Sequence, residues 1–262
     1  MEPFDVNDVA GLSSADSDPF RSLFNPNQLT IASDTPQFTF DNQIFTTSYE
    51  KYSWRAQGWM TGPYNQIGTG TCVSNSCCRM MEAVGSKASK NWLLEATQFH
   101  YCALQRGVNA PIYDIEAALL IMKEQGIPAR APGSFVPPAG DWTSSACPVP
   151  LSKTLRLERY EKMVDVATIK QWIAKWSPVV AVIQVGEDFD QFGGTGAFVT
   201  ETGPKLYHHA VPIVGFDNDG GYWILQNSKG AGWGDKGYAK LAYGSCRIFS
   251  GGVFVGYGCT ME

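Results

Sequence analysis

From residue 72 onward, apolar side chains recur with helical spacing. Val73, Cys77, Met80, Met81 and Val84 fall on one face. Thr71 stands where an N-cap belongs and Gly85 where a helix stops. A second helix is predicted over 91–105, with Leu94, Phe99, Cys102 and Ala103 inward. A third is predicted over 114–125, capped by Asp114 and closed by Gly126 ahead of Pro128. Residues 131–155, with five prolines, read as loop, and a short helix over 169–176 follows the cap Thr168. After Pro178 the period changes. Val179-Val180-Ala181-Val182-Ile183-Gln184-Val185 is a β-branched run of strand length, and further strands are predicted at 210–216, 222–226, 237–241 and 253–257. Gly220-Gly221 marks a hairpin between two of them. Helices first and strands afterwards read as an α+β fold of two lobes meeting at a cleft.

The chain has 262 residues, 44% of them apolar, which is enough for one large domain or two small lobes. Its net charge of −5 is unevenly placed. Residues 1–50 carry eight acids and one base, together with six phenylalanines and four prolines. They read as an acidic N-terminal extension or short prosegment that lies along the slightly basic remainder of the chain and contacts its cleft. No basic run grips phosphate, so nucleic acid is not an expected partner. No apolar stretch approaches the roughly 18 residues that span a bilayer. No signal-peptide pattern is visible, which points to a cytoplasmic location. Seven cysteines, an odd number, do not make a disulfide framework. No C-x-x-C pair accompanies the three histidines, so neither a metal site nor a cofactor is expected.

One cysteine stands apart. Cys72 opens the first helix, where unpaired N–H groups and the helix dipole favour a thiolate. Gln66 lies six residues upstream in a glycine-rich loop, and its amide with the Cys72 N–H offers two donors to an oxyanion. A base is available in His209, at a strand entrance 137 residues after the cysteine. Asn227 follows 18 residues later. The Gly-Gly turn between them makes adjacent strands that bring imidazole and amide together, so that Asn227 orients His209. The other thiols read as small buried hydrophobes, with Cys77 in the helix core and Cys78 at its edge. His100 reads as surface or packing, and Trp233 as closing the loop after Asn227.

In this order the residues resemble the papain-like cysteine peptidases: Gln66-x5-Cys72, then His209-Ala210-Val211, then Asn227-Ser228-x-Gly230-x-Gly232-Trp233-Gly234. The stretch Trp54-Arg55-x2-Gly58-x2-Thr61-x3-Asn65-Gln66 also looks like the family's mature N-terminal segment. The resemblance implies a papain-like two-lobed fold over 51–262. A helical left lobe (about 51–160) and a β-rich, barrel-like right lobe (about 161–262) would flank the active site. It implies Cys72 as nucleophile, His209 as general base and acid, Asn227 as orienter and Gln66 as oxyanion donor. Gly70 would keep the cleft floor open, Ala210 would line the pocket before the scissile bond, and His208 would border that pocket. The reaction would be hydrolysis of a peptide or protein substrate through a thioester. The alternatives are an acyl or peptidyl transferase that hands the same acyl group to an amine, and a catalytically silent binding homologue. Several departures bear on this. Val73 stands in place of the family's aromatic after the nucleophile, and Thr69 in place of a disulfide cysteine. The Cys-x-Gly-Gly wall is missing from 106–115, and the usual long helical prosegment is not visible. Lys229 replaces the tryptophan that shields the His–Asn bond, which opens that bond to water or favours a charged leaving group.

Overall fold

The computed structural model describes residues 49–66, 70–105, 115–129, 154–198, 206–252 and 254–261. Residues 1–48 of the expected 1–50 arm, the loop residue Thr69, the 106–114 segment with its cap Asp114, and most of the proline-rich stretch lie outside the described residues. In chain order the elements are β1 (Lys51–Ser53), α1 (Cys72–Lys87), α2 (Ala96–Gln105), α3 (Ile115–Glu124), β2 (Ile127–Pro128), β3 (Thr154–Leu155), β4 (Arg159–Met163), α4 (Val166–Lys175), β5 (Val179–Val185), α5 (Glu187–Asp190), β6 (Ala197–Phe198), β7 (Tyr207–Asp217), β8 (Tyr222–Gln226), β9 (Tyr238–Ala242) and β10 (Gly256–Thr260). Eight strands form one sheet, ordered β4-β10-β5-β7-β8-β9-β6, with β1 added alongside β7. Its pairings are antiparallel except β6 with β9.

β5 explains how helices and sheet share one body. Val180 and Val182 face a core built with α1 and α3, while Val179, Ala181, Ile183 and Val185 face a second core under α4. A strand buried on both faces reads as a continuous apolar run, which is why the sequence marks its bounds so clearly. β7 behaves alike: Ala210 faces the α1 core, and Val211 and Ile213 face the other. Ser76 in α1 donates to the Ala210 carbonyl at 2.9 Å, fastening the helix that begins at Cys72 to β7.

Several element ends differ from expectation, each for a local reason. α1 runs through Gly85 to Lys87. That glycine makes room for a neighbour, since a Cβ there would meet the Trp92 ring at 2.6 Å. Thr71 sits at the N-cap position without capping through its side chain; its hydroxyl and carbonyl instead accept from Asn75 Nδ2. α2 begins at Ala96, because Leu94 is drawn into a bridge with Ala129. α4 starts earlier, at Val166, and its cap is Asp165, whose carboxylate accepts from the Thr168 N–H at 2.7 Å. The last strand is displaced to 256–260, where it pairs with both β4 and β5. Cys78 and His100 are fully buried rather than at an edge or surface, and the Ser74 hydroxyl lies 3.2 Å from His100 Nδ1.

Candidate active site

The chain from 54 to 66 delivers Gln66 to its place. Trp54 is anchored at both ends, its backbone N–H on the Val214 carbonyl at 2.9 Å and its indole N–H on Ile173 at 2.6 Å. The chain then runs along the loop after β8. Gly230 N–H donates to Tyr64 at 2.7 Å and Gln66 N–H donates to Ser228 at 2.9 Å. This close approach needs Gly237, whose φ is +86° and where a Cβ would stand 2.4 Å from Pro63. The Ser228 hydroxyl donates to Gln66 Oε1. With its acceptor engaged there, the end of the Gln66 amide left to donate is its Nε2.

His209 lies on β7 and Asn227 directly after β8. The pairing of Ile213 with Leu225, continued toward these ends, sets Asn227 opposite Val211, on the face that also holds His209. The His209 Nε2 to Asn227 Oδ1 distance is 2.9 Å. Asn227 Oδ1 also accepts the Ser228 backbone N–H at 2.8 Å. A backbone N–H can only donate, so this atom is the amide oxygen and the imidazole must donate to it. The proton therefore sits on Nε2, and Nδ1 is left as the acceptor. That Nδ1 is buried and has no hydrogen-bond partner among the described residues.

Cys72 is fully buried at the start of α1. Burial pushes the thiol up to about 11, against the N–H groups of Ala210, Val73 and Cys72 itself. The direction is opposite to what the helix terminus alone produces. Burial likewise holds His209 down to about 4, against the Asn227 hydrogen bond. Each group is thus neutral at pH 7 when taken alone. Charging either group alone therefore carries the penalty of an isolated buried charge.

Comparison with known proteins matches residues 49–255 to the papain family of cysteine proteases. The chain belongs to that family. It is 25% identical to fruit bromelain of Ananas comosus over 214 residues, covering 80% of this chain and 59% of the relative. It is also 25% identical to ananain of the same plant, covering 81% and 63%. It therefore spans about three fifths of the length of these curated relatives. The crystal structure of the Carica candamarcensis cysteine protease CMS1MS2 in complex with E-64 superposes with a TM-score of 0.64 at 23% identity, covering 82% of this chain and all of that one. The fold is the α+β, two-lobed papain-like one.

Against this family the departures acquire structure. Val73 is buried in the helical core. Lys229 is ion-paired with Asp190 of α5 at 2.9 Å, and the Tyr207 hydroxyl donates to the same carboxylate. Lys229 pushes the His209 imidazole further down, whereas Asp190 supports its charged form. A salt bridge thus stands beside the His209–Asn227 bond. Phe189, 6.2 Å from the His209 ring centroid, and Trp233, 4.9 Å from Phe189, cover its inner side. Trp233 donates to the Phe189 carbonyl, which closes the loop. His208 is half-buried and meets Phe254 edge-on at 5.2 Å. Ala210 is fully buried and Gly70 buried. Sequence reading missed Asp190 and Tyr207, which no motif marks and which reach the site only through the fold. It also missed Ser228 as the residue that turns Gln66, although the Asn-Ser pair carried that signal.

Proposed function

We propose that this chain is a cysteine peptidase acting through Cys72, His209, Asn227 and Gln66. The observation that carries the reading is the buried His209 Nδ1, left as a lone acceptor by a tautomer that Asn227 fixes. Nδ1 takes the Cys72 proton and the sulfur attacks the scissile carbonyl. Gln66 Nε2–H and the Cys72 N–H hold the oxyanion. The imidazolium then protonates the leaving amine, and the acyl group stays on sulfur as a thioester. Water, losing its proton to Nδ1, cleaves that thioester and returns the thiol. Peptides or proteins are the substrates, as the names of the relatives support. The free thiols Cys78 and Cys259 accord with a reducing, cytoplasmic setting as part of the same proposal.

The test is intact-protein mass after brief exposure to E-64 or iodoacetamide near neutral pH. Wild type is expected to take one label rapidly. Cys72→Ala is expected to lose it, and His209→Ala to slow it about a hundredfold. Slow labelling spread over several cysteines and unchanged by either substitution overturns the reading. Gln66→Ala is expected to lower kcat about a hundredfold with KM nearly unchanged, since its donor acts on charge that develops only in the transition state. A loss confined to KM would remove Gln66 from the oxyanion site.

A further inference from the structure

Behind Asn227 lies a small cavity of about 10 Å³, the room of one water molecule. Asn227, Gln226 and Arg79 line it, between the Tyr64 ring and Pro212. All three polar residues are at least nine-tenths buried. Each keeps atoms without a hydrogen-bond partner among the described residues: Asn227 Nδ2, Gln226 Oε1, and Arg79 Nε and Nη1. Unpaired polar atoms at this depth are costly one by one, and their gathering around one cavity calls for a shared partner. The remaining atoms of these side chains are fixed elsewhere. Arg79 Nη2 donates to Glu82 Oε1 at 2.6 Å and to the Leu94 carbonyl at 3.1 Å. The Arg79 guanidinium also lies 3.5 Å over the Tyr64 ring. Gln226 Nε2 donates to the Thr61 carbonyl at 2.7 Å and to the Tyr238 hydroxyl at 2.9 Å.

We infer that a buried water joins Asn227 Nδ2, Gln226 Oε1 and Arg79 Nη1, and that Arg79 is thereby a positioning residue for the Cys72–His209–Asn227 site. The inference rests on the catalytic reading above. The donors and acceptors balance: the water accepts from the Asn227 amide and the guanidinium and donates to Gln226, three of the bonds a buried water makes. The amide of Asn227 is then held at both ends. Its oxygen meets His209 and the Ser228 N–H, and its nitrogen meets the water. Arg79 lies on α1, two turns after Cys72, so the helix that carries the nucleophile also steadies the group that orients the base.

Two variants separate this role from stability. Arg79→Lys keeps a cation for Glu82, but its single nitrogen cannot serve Glu82 and the cavity as the guanidinium fork does. Arg79→Met with Glu82→Gln removes both charges and leaves neither buried alone. In both, kcat is expected to fall about tenfold with KM unchanged. The acid limb of the pH profile for Cys72 alkylation is expected to move to lower pH, because a loosened Asn227 supports the imidazolium less and the imidazole then protonates only at lower pH. A purely structural role would lower the melting temperature and leave that limb in place. A crystal structure of the wild-type chain resolving ordered water is the companion measurement. A water within hydrogen-bond distance of all three atoms supports the inference, and a collapsed cavity or an Asn227 amide bonded otherwise overturns it. So does wild-type kcat with an unmoved limb in either folded variant. Labelling of wild type that ignores His209 would instead sink the catalytic reading, and the density would still decide the water.

Discussion

His209→Ala is expected to abolish most turnover and, in the same molecule, to make the fold less sensitive to acid. The activity loss is expected on the order of 10⁴-fold in kcat/KM on a fluorogenic peptide, since the imidazole serves both as base and as acid. The stability gain follows from proton linkage. Burial holds both His209 and His100 down to about 4 in the folded protein, whereas an unfolded histidine titrates near about 6.5. Between those values the unfolded chain binds more protons than the folded one, so stability is full above about pH 6.5 and is lost as pH falls toward about 4. From pH 7 to pH 5 each buried histidine removes on the order of 2 kcal/mol. At roughly 2–4 °C per kcal/mol for a domain of this size, the wild-type melting temperature drops about 10 °C over that interval. In His209→Ala the His100 share remains, and the drop is expected to be about half as large. Thermal melts at the two pH values check this; an equal drop in both proteins would mean that His209 is already solvated in the folded state. The proposed base is thus a group whose neutral form folding demands, and the fold gives up acid stability to keep it so.

What the sequence displayed and what it hid divide along physical lines. The β5 bounds were legible because a doubly buried strand has no polar alternation to blur. His209 and Asn227 were legible as neighbours because a glycine hairpin joins the strands that carry them. β1 and β4 carry no such mark. Their pairing comes from partners more than ninety residues away, and a strand of three or five residues with charged members shows no period. Gly85 misled because glycine has two uses, ending a helix or admitting a neighbour, and only the position of Trp92 tells them apart. The Lys229–Asp190 pair was invisible for a similar reason. Its members lie 39 residues apart, and nothing in either local sequence requires the other. Arg79 and Glu82 stand at i,i+3 spacing, and nothing in their local sequence marks the pair as buried. Their burial depends on Tyr64, Leu94 and Thr61 closing over them.

That buried pair supports the second large expectation, for Glu82→Ala. Glu82 is fully buried and Arg79 is 4% exposed. Burial pushes the Glu82 carboxyl up, and Arg79, the Thr61 hydroxyl and the Leu94 N–H work against that. Removing the carboxylate strands the guanidinium charge in the core and leaves the Leu94 N–H and the Thr61 hydroxyl without their acceptor. Stranding one member of a buried pair costs about 3–5 kcal/mol, which at roughly 2–4 °C per kcal/mol lowers the melting temperature by about 6–20 °C. Removing both charges, in Arg79→Met with Glu82→Gln, is expected to restore most of that loss, because the desolvation penalty leaves with the ions. Thermal melts of the single and the double variant decide the matter. A double variant no more stable than Glu82→Ala would show that the cost lies in lost packing rather than in the unanswered charge. If the double variant recovers stability but not kcat, the pair is not retained for stability. An apolar filling would hold α1 in place equally well. It would not present further N–H donors toward Asn227, the proposed orienting residue, and on this argument that is the reason for an arginine at position 79, with Glu82 present to make its burial tolerable.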